Sequence, residues 1–224
     1  MALERDGCEV PGQIDQLLQD IEGQCVVAEA EFWDAFSAGC ADRGWELEGT
    51  TARRFLCRGI VLHLQAGTVS VDELGLSFRP AAGEVLLALE PYVLELVPPD
   101  FNVRGFVDLL AAAYDQISTA GGVSIEKPIE AVYRTTVVMS QKPAFWKTLS
   151  MSRFTRLSRP SFRARIAALL ERNLVSTDGR AVRFGTTVIP SQAWEIYSPG
   201  EGHFVQVGRI AFVQSGGPDD NQRH

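Results

Sequence analysis

The most constraining stretch of this chain is residues 158–184, where a cationic amphipathic helix is followed directly by a tight turn. Ser158 can cap the helix, because its hydroxyl accepts a hydrogen bond from an unpaired backbone N–H of the first turn. Pro160 is tolerated in that turn, where no intrahelical donor is lost. Apolar side chains then recur at helical spacing, at Phe162, Ile166, Leu169 and Leu170. This pattern predicts a helix over residues 158–173 with one buried face.

A second face of the same helix carries small and basic residues, namely Ser161, Arg165, Ala168 and Arg172. Small residues let a backbone approach a surface closely, and arginine pairs bidentately with phosphate or with a guanine edge. For the helix taken alone, a solvated face whose arginines keep it soluble is the simpler interpretation.

A hairpin is predicted immediately after this helix. Residues 174–177 and 180–184 flank Asp178-Gly179, a two-residue loop suited to positive φ and therefore to a type I′ turn. A helix that runs into such a hairpin resembles the third helix and wing of winged helix-turn-helix proteins, over residues 101–190. The resemblance implies that the helix enters a groove of nucleic acid and that Arg180 or Arg183 touches its backbone. Many winged helices bind proteins instead, so the fold alone does not fix the function.

Charge is strongly segregated along the chain, whose net charge is −7. Residues 1–100 hold 6 basic and 18 acidic residues, whereas residues 134–183 hold 11 basic and 2 acidic residues. Such a block indicates a surface that attracts an anion. The residues expected to bind nucleic acid are Lys142, Lys147, Arg153, Arg156, Arg159, Arg163, Arg165, Arg172, Arg180 and Arg183. Alternatively, the two halves neutralise each other inside the molecule, or the basic face binds an acidic protein.

The sequence predicts an α+β protein whose two domains meet at Pro98-Pro99-Asp100. Two helices precede several strands in the acidic domain 1–98, which indicates an antiparallel sheet with helices on one face. The helices are expected at 13–22 and 28–43, and the strands at 45–48, 55–64, 68–71, 75–78 and 85–96. Residues 101–213 form a winged-helix-like domain with helices at 101–117, 125–139 and 158–173. Residues 214–224 are polar and are expected to form a disordered tail.

Composition and motifs argue against several classes of protein. The chain is 46% hydrophobic, which is typical of a globular protein, and it has no apolar run long enough to cross a bilayer. Its first ten residues are acidic where a signal peptide is basic, so we expect a cytoplasmic protein without a membrane partner. The four cysteines lack a CxxC pair and are expected to be reduced thiols. Cys57 beside Arg58 allows a lowered thiol pKa, although a buried structural cysteine is the simpler interpretation.

No catalytic motif of the GxSxG, P-loop, GxGxxG or HExxH type is present. We therefore expect a protein without cofactor, and an enzyme is the less favoured class. A metal-dependent nuclease is the weakest alternative, because it needs clustered carboxylates and often a nearby lysine. The residues that offer these groups are Asp72, Glu73, Glu90, Glu95, Asp100, Glu126 and Lys127.

Three functions remain. The first is a non-enzymatic protein that binds nucleic acid, with duplex DNA as the expected target, as a regulator or as a subunit of a larger DNA-acting complex. The second is an adaptor whose basic face binds an acidic protein and whose α+β half binds another subunit. The third is the nuclease. Phe145, Trp146 and Phe154 are interpreted as packing residues in preference to a platform that stacks bases.

Overall fold

A computed structural model describes residues 10–50, 52–96, 98, 100–117, 125–170, 172, 174–198 and 200–214. Within these ranges the chain is an α+β protein. Its α-helices are α1 Val10–Asp42, α2 Ala82–Leu96, α3 Val103–Gln116, α4 Ile129–Met139, α5 Pro143–Thr148 and α6 Arg159–Leu170. Its strands are β1 Leu47–Gly49, β2 Arg53–Leu56, β3 Ile60–Gln65, β4 Thr68–Val71, β5 Leu76–Phe78, β6 Lys127–Pro128, β7 Arg180–Gly185, β8 Trp194–Ser198, β9 His203–Val207 and β10 Arg209–Gln214.

The N-terminal part is a five-stranded antiparallel sheet in the order β1-β2-β3-β4-β5, with α1 and α2 packed on one face. Side chains alternate between the faces of a sheet, so Leu56, Leu62 and Leu64 join the apolar cluster formed with the two helices. Phe55 points to the other face, where its ring lies 5.6 Å from that of Phe204. The predicted antiparallel sheet with helices is confirmed, and the β8–β9 hairpin covers part of its second face.

Two elements of this part differ from the sequence predictions. The two helices expected before the sheet form one continuous helix, α1. The strand expected over residues 85–96 is wrong, because this segment is the helix α2. Its buried residues, Val85, Leu86, Leu89, Val93 and Leu96, follow helical spacing. Pro91 lies inside α2, on its exposed side.

The C-terminal part contains a three-stranded antiparallel sheet in the order β6-β10-β7, with α3, α4 and α6 packed around it. A separate hairpin, β8–β9, is inserted between β7 and β10. Asn102 caps α3, since its side-chain oxygen accepts a hydrogen bond of 2.9 Å from the N–H of Gly105. The predicted domain boundary falls on the connection between α2 and α3. The predicted tail begins one residue too early, because Gln214 is the last residue of β10, and residues 215–224 lie outside the described residues.

The turn at residues 176–179 is not of the predicted type. The predicted type I′ turn needs positive φ at both of its central residues, Asp178 and Gly179. Of these two, only Gly179 has it, with a φ of 85°. The N–H of Gly179 donates to the carbonyl oxygen of Ser176 at 2.9 Å and closes the turn. Residues 174–177 contribute a single bridge, between Val175 and Ala181, and β7 pairs along its length with β10. The local hairpin is therefore smaller than expected.

Helix α6 lies between the two parts. Ala164 belongs to the apolar cluster of the first sheet, whereas Phe162, Ile166 and Leu169 belong to that of the C-terminal part. The turn between β2 and β3 approaches α6 so closely that a Cβ atom on Gly59 would lie 2.7 Å from the carbonyl oxygen of Pro160. The helix that was expected to enter a groove is thus buried on most of its circumference.

Candidate functional site

Two of the predicted binding arginines are part of the interior. Arg163 is buried, and its Nη1 donates to the carboxylate of Glu73 from the first sheet. The guanidinium of Arg165 lies over the rings of Phe101 and Phe106, at 5.2 and 5.6 Å from their centroids. Burial also lowers the pKa of Arg165. Both side chains therefore hold α6 in place.

Two further arginines are held in ion pairs within the C-terminal part. Arg159 donates from Nη2 to both oxygens of Glu130, at 3.0 Å. Arg180 makes a bidentate pair with Asp115, at 2.8 Å for each bond, and its Nε donates to Asp178 at 2.7 Å. The hydrogen bond from Arg180 holds the pKa of Asp178 at about 2. Of the pairs described so far, the one between Arg163 and Glu73 joins the basic and the acidic halves and matches the alternative in which the two halves neutralise each other.

The other predicted residues lie at the surface. Arg172 and Arg183 are exposed on separate elements, after α6 and in β7. The remaining four, Lys142, Lys147, Arg153 and Arg156, are exposed and close together in sequence. We call residues 138–156, from the end of α4 to the approach to α6, the cationic segment. The structure therefore does not bring all ten residues together, but it leaves four of them on one segment.

The cationic segment contains a closed loop, because residues 141 and 155 are hydrogen-bonded to each other. The amide of the buried Gln141 donates from Nε2 to the carbonyl oxygen of Thr155 and accepts at Oε1 from the N–H of Thr155, both at 2.8 Å. Between these ends, the ring centroids of Phe145 and Phe154 are 5.5 Å apart. Helix α5 is followed by Leu149, whose left-handed backbone has a φ of 49°. A compact loop with close ends and its own packing is an Ω-loop, a type that is often functional.

The surface of the cationic segment combines apolar and basic side chains. Trp146 is 51% exposed and Leu149 is 67% exposed, so the expectation that Trp146 is a packing residue is wrong. The large exposed apolar residues are Val138, Met139, Trp146, Leu149 and Met151. No acidic residue occurs between Glu130 and Glu171 in the sequence. Contiguous exposed apolar patches mark interaction sites, and Trp, Met and Arg are enriched in protein interfaces.

The residues considered for catalysis or metal binding are placed differently. Within the described part of the chain, no group of three or more His, Cys, Asp or Glu residues is arranged to hold a metal ion. Glu73, one of the carboxylates considered for a nuclease, is paired with Arg163. Burial raises the pKa of the Cys57 thiol and outweighs the opposing charge of Arg58, so a lowered pKa at this cysteine is wrong. Burial raises the pKa of Cys40 to about 12.

None of the helices in the described ranges is both long enough and apolar enough for a bilayer crossing. Comparisons with models of protein families, with curated proteins and with solved structures gave no match. The winged-helix resemblance and the binding of nucleic acid therefore stay predictions. The cationic segment differs from an ordinary solvated face, because its exposed residues include large apolar side chains as well as basic ones.

Proposed function

We propose that this protein is a non-enzymatic binding subunit that docks an acidic, amphipathic segment of another protein on its cationic segment. The observation that carries the proposal is the exposure of five large apolar side chains and four basic ones within residues 138–156, from the end of α4 through the closed loop. Carboxylates of the partner would pair with Lys142, Lys147, Arg153 and Arg156. Apolar side chains on the same partner would cover Trp146 and Leu149.

The apolar residues favour a protein over nucleic acid as the partner. A phosphate backbone attracts lysine and arginine but gives no burial to Val138, Leu149 or Met151. Full burial of a side chain of this size contributes about 1.5–3 kcal/mol. A partner that carries both acidic and apolar side chains can pair with the basic residues and also bury the apolar ones, whereas a duplex can pair only with the basic residues.

Binding of duplex DNA is the second candidate function. It is favoured by the concentration of basic residues without acids along residues 131–170. The order of α3, α4 and α6 before the antiparallel pair of β7 and β10 is also compatible with the winged-helix resemblance. Because α6 is buried, contacts to DNA in this candidate would come from the cationic segment, Arg172 and Arg183.

The test is a fluorescence anisotropy titration with a labelled synthetic peptide that forms an amphipathic helix with one Leu face and one Glu face. We expect saturable binding that weakens in Trp146→Ser/Leu149→Ser and in Lys147→Glu/Arg153→Glu. A loss of about tenfold in affinity corresponds to ~1.4 kcal/mol. The matched controls are Val188→Ser, which changes an apolar residue that is 92% exposed elsewhere, and Arg183→Glu.

Three other probes decide between the partners: the same peptide with Lys in place of Glu, a duplex DNA and vesicles that contain anionic lipid. The proposal requires that the acidic peptide binds and that the lysine peptide does not. Equal binding by the segment variants and the controls would refute it. Binding of duplex DNA alone, steeply reduced by salt, would replace it by the second candidate. Binding to vesicles alone would also contradict it.

A further inference from the structure

A cleft with a volume of about 670 Å³ lies where the first sheet meets the C-terminal part. One side is formed by Glu73, in the turn Asp72–Leu74 that follows β4. The other side is formed by α4, α6 and the residues that lead into β8. The charged and aromatic lining residues are Glu73, Glu130, Arg134, Arg159, Arg163 and Trp194. None of them belongs to the cationic segment.

The charges of the cleft do not cancel, because three guanidinium groups face two carboxylates. Glu130 accepts hydrogen bonds from two of them, from Arg134 Nε at 2.8 Å and from Arg159 Nη2 at 3.0 Å. Glu73 is paired with Arg163. One positive charge is therefore in excess.

The unused hydrogen-bonding groups of these arginines are all donors. Within the described residues, both Nη atoms of Arg134 and the Nε and Nη1 atoms of Arg159 have no hydrogen-bond partner. The Nη2 atom of Arg163 also has none among these residues, and its Nε atom, like Oε2 of Glu73, is buried without a partner there. A buried donor without a partner costs free energy, which an incoming acceptor would recover.

Two of the three arginines lie over the ring of Trp194. The guanidinium groups of Arg159 and Arg163 lie 5.4 and 6.0 Å from the ring centroid of Trp194. Trp194 is itself packed edge-on against Tyr133 and Phe162, at centroid distances of 5.2 and 5.6 Å. Donors held in this way are preorganised, so their ordering adds little to the cost of binding.

We propose that this cleft binds a small molecule that carries a carboxylate or phosphate group. Arginine pairs with both groups through its planar set of N–H donors. The volume of the cleft falls in the range of about 300–1,000 Å³ that is usual for small-molecule sites, which often lie between structural units. The excess positive charge selects an anion over a cation.

The test is a titration with inorganic phosphate, phenyl phosphate and benzoate at constant ionic strength, followed by two-dimensional NMR of the arginine and tryptophan side chains. We expect saturable shifts of the Trp194 indole and the Arg159 guanidinium by phenyl phosphate and benzoate, with competition between them. Arg134→Gln and Arg159→Gln should each raise the dissociation constant at least about tenfold. Arg183→Gln, an exposed arginine outside the cleft, is the matched control and should leave the constant unchanged.

The outcomes distinguish the possible sources of the anionic group. Weak shifts by inorganic phosphate that persist in both variants would indicate an adventitious ion only and would overturn the proposal. Failure of benzoate and phenyl phosphate, combined with loss of the acidic peptide in Arg159→Gln, would assign the cleft to a side chain of a partner protein and would also overturn it. Because Arg134 is exposed and Glu130 keeps Arg159 as a partner, Arg134→Gln tests the site without depending on a buried ion pair.

Discussion

At the scale of the residue, the ion pair between Arg163 and Glu73 most clearly links the two parts of the molecule. The side chains are 10% and 16% exposed, and Arg163 also donates to the carbonyl oxygen of Gly59 at 3.4 Å. Removing charges from water costs several kcal/mol per ion, which a close partner offsets. Loss of one partner leaves the other charge buried and uncompensated.

We therefore predict that Arg163→Met lowers the free energy of unfolding by about 3 kcal/mol. The double variant Arg163→Met/Glu73→Gln should regain part of this loss, because it no longer leaves a buried carboxylate alone. Urea unfolding followed by circular dichroism measures both. The matched control is Arg159→Gln, whose pair with Glu130 is more exposed and should cost about 1 kcal/mol or less. A loss in Arg163→Met no larger than in this control would show that the pair is well solvated.

The sequence predicted the helix around Arg163 but not the burial of this side chain. Residues 161–164 are Ser, Phe, Arg and Ala, and all four are buried, so hydrophobic periodicity does not mark the face that carries the arginine. The partner that makes burial favourable, Glu73, lies 90 residues earlier in the chain. Such a contact depends on tertiary structure, and no local pattern carries it.

At the scale of the element, turn chemistry explains which boundaries were predicted correctly. The hairpin between β2 and β3 was missed because Cys57 and Arg58, neither of which is a usual turn residue, both adopt positive φ. The sequence pattern therefore predicts one strand over residues 55–64. The strand predicted at 68–71 was correct, because its alternating pattern follows Gly67, which has positive φ.

The basic residues of the cationic segment were predicted as part of a larger binding surface, but the closed loop that carries them was not predicted. Its order depends on the buried amide of Gln141, which also donates to the carbonyl oxygen of Val137 at 2.7 Å. Gln141, two residues before Pro143, gives no sequence signal for a closed loop. The exposure of Trp146 was not predicted, because aromatic residues are more often buried.

Replacement of Gln141 by alanine should loosen this loop without unfolding the protein. The change leaves the N–H and C=O of Thr155 without their partners, and we expect a cost of about 1–3 kcal/mol. Hydrogen–deuterium exchange should accelerate in residues 142–154 and remain unchanged in β3 and β10. Gln65→Ala, an exposed glutamine at the end of β3, is the matched control. Equal protection of residues 142–154 in both variants would contradict this role for Gln141.

At the scale of the whole molecule, the two parts are also joined by Arg53 of the first sheet and Glu195 of β8, which form a hydrogen-bonded ion pair. This bond holds the pKa of Glu195 below its ordinary value of 4.5. A depressed carboxyl pKa contributes stability above the pKa of the unfolded chain, and this contribution is lost as the pH falls through the folded value.

Stability should therefore decrease as the pH is lowered through about 4.5 and below, and Glu195→Gln should show a smaller decrease over that range. The measurement is the free energy of unfolding from urea titrations between about pH 7 and 3. Glu84→Gln, an exposed acid in the first turn of α2, is the matched control and should follow the wild-type curve. A Glu195→Gln curve parallel to the wild type would exclude a role of this pair in acid stability.

The position of α6 between the two apolar clusters has a consequence for synthesis of the chain. The sheet and α2 are complete in the chain once residue 96 is joined, but Pro160 and Ala164, which lie against Gly59 beside Leu96, are joined 64 and 68 residues later. At translation rates of about 5–20 residues per second, this contact would stay unformed for roughly 3–14 s. The N-terminal half thus emerges first yet depends for its completion on a helix made much later.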